Sequence, residues 1–272
     1  MNASQKKGRA SSLAATAAAV VAYFAIIAGF ATQAVSQTIP LTLVGQWPGH
    51  PAGEACGVVV SSNYAFVAYG WAGLQVIDIS SPTNPVWVGG CGTSGYASSV
   101  AIYHKYAFVA AGYGGPQAFE ITNPAVPVPV SGLDTPGQAK AVVVSGNYAY
   151  IADGEAGFQV VNVADPANPV LVGGYDTSGF AEAVAVSGNR AYLLCTLYSG
   201  WFTLSLLELI DVSNPASPVR VGVYGDWYRI LGMAVSGNCV YLLSRFAGLH
   251  VIDVSNSAVP TRVSWFDTPV SS

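Results

Sequence analysis

Lys140 and Glu182 stand 42 residues apart, each immediately ahead of a short apolar run. Cys56, Ser98 and Leu231 hold the same place ahead of similar runs. A cation and a carboxylate at equivalent points of neighbouring units suit an ion pair between units, the ordinary explanation for such a pattern. They also suit contacts to a polar ligand, and with Arg229 they are the residues an enzyme on this scaffold would use. A second set is aromatic. Trp71, Tyr113, Glu155 and Phe246 share one recurring position, and Tyr198 and Trp201 fall in an enlarged version of that loop. Trp227 and Tyr228 lie in another loop of the same kind as those carrying Tyr96 and Phe180. Packing on neighbours accounts for any one of these rings. Taken together they are the best interaction candidate, because exposed aromatic loops suit a stacked sugar or a protein partner.

Other chemistries lack their residues. His50, His104 and His250 do not cluster with cysteines at metal-ligand spacing, so no metal or cofactor is expected. No Gly-x-Ser-x-Gly nucleophile motif or glycine-rich phosphate loop occurs. Asp78, Asp211 and Asp253 recur singly, each just before a proline turn, which predicts caps on backbone N–H groups. Asp134, Asp176 and Asp267 recur as well and are expected to cap turns. Cys56, Cys91, Cys195 and Cys239 occupy four different repeat positions, so mostly buried free thiols are expected.

The elements that must position these residues follow from composition and period. Of 272 residues, 9% are charged and 52% hydrophobic, with 10 Lys+Arg against 14 Asp+Glu. So few scattered cations exclude a basic nucleic-acid-binding face, and so apolar a chain is not disordered. Three of the cations, Lys6, Lys7 and Arg9, precede an uncharged run from Leu13 to Ala31 and the small residues Ala34-Val35-Ser36. This is the secretory pattern. It predicts a signal peptide over 1–36 cleaved before Gln37, or an uncleaved membrane anchor, and in either case export to the cell surface, periplasm or exterior. Residues 37–272 then form the folded domain, with no other membrane contact expected.

That domain is a repeat. Asn63, Lys105, Asn147, Asn189 and Asn238 mark one turn at spacings of 42, 42, 42 and 49 residues. Asp78, Glu120, Asn162, Asp211 and Asp253 mark a strand end at 42, 42, 49 and 42. The two series place a seven-residue insertion between Asn189 and Asp211. Each unit reads as four short strands, A to D. In the third they are 141–145, 148–152, 158–162 and 170–174, separated by Gly-Asn, Gly-rich and Asp/Pro turns. Strands apolar on both faces suit sheets sandwiched between neighbours. Four strands per 42 residues in tandem predict an all-β fold, a β-propeller of four-stranded blades, with B–C and D–A loops on one face and the start of strand A at the central channel.

Gly73-Leu-Gln-Val-Ile-Asp-Ile-Ser80, Gly157-Phe-Gln-Val-Val-Asn-Val-Ala164 and Gly248-Leu-His-Val-Ile-Asp-Val-Ser255, with the Pro-x-x-Pro-Val turns that follow the first two, resemble the LVIVD repeat. The resemblance covers roughly residues 41–267 and implies an exported prokaryotic propeller without a known catalytic motif. The second unit departs from it at Pro116-Gln-Ala-Phe-Glu120, and the fourth carries Leu206 where the others place glycine.

Five A-B-C sets accompany six D-like strands, the extra one at 41–47, and 266–269 repeat the loop that opens a further unit. This predicts either a piece of a propeller of six to eight blades or a five-bladed ring with a redundant strand. The function expected is binding or scaffolding outside the cytoplasm, toward a protein or glycan, with a hydrolase or lyase at the channel mouth as the alternative.

Overall fold

The computed structural model describes residue 43, residues 53–199 and residues 202–267. The export segment, Trp201 and the D-like run at 41–47, apart from Leu43, lie outside the described residues. All described sheets belong to the unit Leu43–Ser272.

Short β-branched and aromatic runs between tight turns give twenty strands in five sheets. Blade one is β1 (Gly57–Ser61), β2 (Tyr64–Ala68), β3 (Leu74–Asp78) and β4 (Val86–Cys91). Blade two is β5 (Ser99–Tyr103), β6 (Tyr106–Ala110), β7 (Pro116–Glu120) and β8 (Val128–Gly132). Blade three is β9 (Ala141–Ser145), β10 (Tyr148–Ala152), β11 (Phe158–Asn162) and β12 (Val170–Tyr175). Blade four is β13 (Phe180–Ser187), β14 (Arg190–Ser199), β15 (Phe202–Asp211) and β16 (Val219–Asp226). Blade five is β17 (Ile230–Ser236), β18 (Cys239–Ser244), β19 (Gly248–Asp253) and β20 (Thr261–Phe266). Every sheet is an antiparallel meander in chain order. The predicted insertion is realised as two ten-residue strands, β14 and β15, paired out to Ser199 and Phe202.

The A–B hairpins turn through Ser62, His104, Gly146, Gly188 and Gly237, with φ between 53° and 57°. That left-handed conformation is why glycine fills three of the five. The outer strand of every blade carries a bulge at a valine: Val88, Val130, Val172, Val221 and Val263. Bulges raise the twist and blunt an exposed edge. Strand-C acids act as predicted. Asp78, Asp211 and Asp253 each accept the backbone N–H two residues on, at 2.8 Å. The Ser80 and Ser213 hydroxyls, with these backbone bonds, hold the Asp78 and Asp211 carboxyls below the ordinary aspartate range, and the Ser255 backbone N–H and hydroxyl do the same for Asp253. The D–A loop acids do not cap their turns: Asp134 and Asp176 are exposed, and Thr93 and Thr177 instead donate to the carbonyls of Gly95 and Gly179 at 2.7 and 2.6 Å.

The core lies between blades. Phe66, Phe108, Tyr150 and Tyr192 occupy one strand-B position and pack forward on the next blade: Phe66 with Val109 and Phe119, Phe108 with Ile151 and Val161, Tyr150 with Leu193 and Ile210, Tyr192 with Leu242 and Ile252. Tyr241, the fifth member, is only half-buried. The innermost strands pack in the order β1, β5, β9, β13, β17. Among the described residues no comparable packing joins β17 to β1. Ala65, Val67 and Ile77 form a separate small cluster on the backward face of blade one.

In blades one to four the outer strand also touches the next blade's proline turn. A Cβ on Gly89, Gly173 or Gly222 would run into the carbonyl of Ala125, Pro215 or Ser257. In blade two Ser131 holds this place and donates to the Pro166 carbonyl at 2.6 Å.

Candidate ligand-binding site

Loop geometry on the B–C/D–A face is fixed by one polar residue per strand C. Gln75, Gln117 and Gln159 recur every 42 residues, followed by Glu208 and His250. Gln75 and Gln159 donate to the carbonyls of Ala72 and Ala156 in their own B–C loops at 2.7 and 2.9 Å. Gln117 accepts from the Ser94 N–H at 3.2 Å and Glu208 from the Ser178 N–H at 2.9 Å, fastening the D–A loop leading into each blade. Buried His250 does both: its Nε2 lies 3.1 Å from the Ala247 carbonyl oxygen, and its Nδ1 is hydrogen-bonded to Asp226 Oδ2 at 2.7 Å. In blade three the anchor is Asp153, which accepts Thr135 Oγ1 at 2.8 Å and the Gly137 N–H at 3.0 Å. Hydrogen bonds from buried polar groups rigidify what they join, and of these anchors Glu208 leaves one buried oxygen, Oε2, without a hydrogen-bond partner among the described residues.

Burial pushes the Asp153 carboxyl above the ordinary aspartate value, outweighing those two bonds. The folded state therefore favours the protonated form. Its stability contribution is full below the ordinary pKa and is lost as pH rises through the raised one. Asp153→Asn removes this dependence. The stability of the native chain relative to that variant is expected to fall as pH rises from about 4 toward 7. Denaturant unfolding across that range checks this, and a difference that grows with pH would contradict it.

On this braced face the structure brings Lys140, Glu182, Tyr198 and Arg229 into one open pocket of ≈ 630 Å³, with Phe180, Ser98 and Cys56 completing its wall. It sits at the channel mouth, where the strand-A starts converge. Ser98 Oγ donates to the Lys140 carbonyl at 2.8 Å and so fixes the neighbouring strand start. The expected Lys140–Glu182 ion pair does not form. Glu182 is the bulged residue of β13, opposite no partner between Ala181 and Ala183, and its Oε1 accepts from Tyr198 OH at 3.1 Å. Lys140 Nζ stands 5.4 Å from the centroid of the Phe180 ring. Leu231, the corresponding bulged residue of β17, is exposed on blade five and does not line the pocket.

The loop aromatics are not edge caps. Trp71, Tyr113, Tyr198, Trp227, Tyr228 and Phe246 are between 45% and 77% exposed. Trp71, Tyr96 and Tyr113 line a second pocket of ≈ 520 Å³, with the Tyr96 ring 5.5 Å from Trp71. Tyr228 stands edge-on to His250, and Phe246 packs under the Arg245 guanidinium. Glu155 is exposed and faces neither pocket. The loop anchors were missed in the sequence reading, although one polar residue per otherwise apolar strand C, at a constant 42-residue spacing, marked most of them.

The model of the LVIVD repeat matches residues 52–93, 94–135, 136–177, 205–226 and 232–268, more than half of the chain. The chain belongs to the LVIVD repeat family. No curated protein matches it in sequence. Among solved structures it is similar to the β-propeller domain of Myceliophteria thermophila Cps50 (Swd1), with TM-score 0.64 and 12% identity over 79% of this chain and 73% of that one. The computationally designed Ika8 protein gives TM-score 0.61 and 12% identity over 80% of this chain, which spans 63% of the designed protein's length. These likenesses establish the propeller fold. The LVIVD matches omit residues 178–204, so Glu182 and Tyr198 lie in the part of the fourth unit that departs from the repeat.

All four cysteines are free, but only Cys195 is buried. The expectation of mostly buried thiols does not hold: Cys91 and Cys239 are half-buried, and Cys56 is exposed at the channel rim, where its repeat position placed it, its Sγ 3.2 Å from Tyr96 OH. Burial pushes the Cys195 thiol up to about 12 and raises Cys56 less. At pH 8 iodoacetamide is expected to label Cys56 in the folded protein and Cys195 only after unfolding. Peptide mass spectrometry reads this, and labelling of Cys195 at the native rate of Cys56 would contradict the packing.

Proposed function

We propose that this LVIVD-repeat propeller is an exported binding module that holds a small organic carboxylate at its channel mouth. One observation carries the reading. Lys140 and Arg229, from the third and fifth repeats, converge on one open pocket, and neither has a carboxylate partner among the three ion pairs of the described residues. In a chain of net charge −4, two uncommitted cations in one concave site favour an anion. The Glu182–Tyr198 pair beside them supplies an acceptor and a hydroxyl for ligand OH groups, and the Phe180 ring supplies an apolar face. A hydroxylated acid such as a uronate matches that set. The secretory pattern of residues 1–36 supports placement outside the cytoplasm.

Calorimetric titration of the full chain with galacturonate and with neutral galactose tests the reading. Galacturonate is expected to bind with Kd of about 1 mM or tighter and to weaken as salt is added. Equal binding of the two sugars would overturn it.

A further inference from the structure

We infer that the groove between Trp71 and Tyr113 is a sugar-ring subsite continuous with the channel mouth, so that the natural ligand is an acidic oligosaccharide rather than a lone acid. This rests on the reading above and extends it. The two pockets share a wall. Tyr96 lines the groove, and its hydroxyl reaches Cys56 Sγ, which lines the channel mouth. A ligand leaving the mouth past Cys56 therefore meets the groove next.

The groove is built for a ring rather than a charge. Trp71 and Tyr113 both line it and are 76% and 72% exposed, which leaves aromatic surface free to take up the C–H face of a pyranose. Gly95, Gly112 and Gly114 also line it, and an added Cβ on Gly95 or Gly114 would run into the Ala111 carbonyl or Ser94 Oγ, so close packing of the two loops fixes this part of the wall. No ionised side chain lines it, in contrast to the mouth. Half-buried Gln138 borders it, and its side-chain amide has no hydrogen bond among the described residues, leaving two donors and an acceptor for sugar hydroxyls. The walls are held in place before any ligand arrives. Trp71 packs edge-on against Tyr96, and the Ser94 loop is fastened to Gln117. Its volume of ≈ 520 Å³, added to the mouth, exceeds what one acidic sugar needs.

The test uses the full chain, galacturonate, trigalacturonate and triglutamate, with native protein and the Trp71→Ala/Tyr113→Ala double variant. Both rings are exposed, so the variant is expected to keep its fold and its unfolding temperature. Trigalacturonate is expected to bind native protein at least tenfold more tightly than galacturonate. In the double variant that advantage disappears while galacturonate affinity stays the same. Equal affinity of trimer and monomer for the native chain, or an advantage that survives in the variant, would overturn the groove and leave the mouth standing. Trimer binding that depends on Trp71 without any monomer binding would leave the groove standing and overturn the mouth. No binding of either sugar removes both. Triglutamate binding as tightly as trigalacturonate, with the same dependence on Trp71, would make the groove a peptide site and overturn the sugar assignment.

Discussion

Reversing both mouth cations, Lys140→Glu with Arg229→Glu, is expected to weaken galacturonate binding at least ~100-fold, about 2.7 kcal/mol. Each native cation attracts the carboxylate, and each replacement repels it. Two unit charges at 4 Å interact by about 4 kcal/mol at the effective dielectric of a protein surface, so two reversals exceed that loss even after screening. The fold is not expected to suffer. Among the described residues neither side chain has an ion-pair partner to lose, and Lys140 gives up its contact with the Phe180 ring, worth about 0.5–1 kcal/mol. Arg262→Glu, on the outer strand of blade five, is the control and leaves binding unchanged. Calorimetric titration with circular dichroism on the same samples reads both effects. Undiminished binding in the double variant would remove the mouth from the account.

The largest expected effect on stability comes from a glycine. Gly222→Val is expected to cost about 3 kcal/mol or more. The added Cβ drives into the Ser257 carbonyl, with Pro260 Cδ 3.5 Å away to prevent retreat. That contact joins blades four and five, so the strain falls on a junction that Tyr192, Leu242 and Ile252 otherwise seal. In a domain of this size the loss lowers Tm by roughly 6–12 °C. Gly222→Ser carries the same Cβ clash but is milder than valine, because once the turn shifts back its hydroxyl can donate to the carbonyl as Ser131 does to Pro166. Gly188, which has nothing within 4 Å of an added Cβ, is the reference. Alanine there costs only the ~1 kcal/mol of a left-handed turn. Thermal unfolding of the three variants orders them, and a Gly222→Val protein within 1 kcal/mol of native would contradict the blade junction described.

The blades were legible because their determinants are local and repeated. The turn at Gly146-Asn147, the strand end at Asn162 and the proline turn at 166–169 predict β9 to β12 almost to the residue. The five-fold recurrence then makes the propeller the way to bury both sheet faces. The mouth was legible in part for the same reason. Residues preceding strand A converge wherever blades close on a channel, which places Cys56, Ser98, Lys140 and Glu182 together. Their bonding was not legible. A bulge at Glu182 re-aims its carboxylate toward Tyr198, and the long β14–β15 hairpin that presents Tyr198 has no counterpart in the other units. The shared wall between the pockets depends on the Tyr96 hydroxyl reaching Cys56 across 40 residues, and no spacing rule announces such a contact. Exposure was also misjudged. Period alone does not distinguish an aromatic packed on the next blade, such as Phe66, from one that stands clear of it, such as Trp71.

The most direct test is a crystal structure of the full chain with bound galacturonate. The sugar carboxylate is expected between Lys140 and Arg229, with its hydroxyls toward Glu182 and Tyr198. Galacturonate bound anywhere else, or a saturated protein whose channel mouth holds only water, would contradict it.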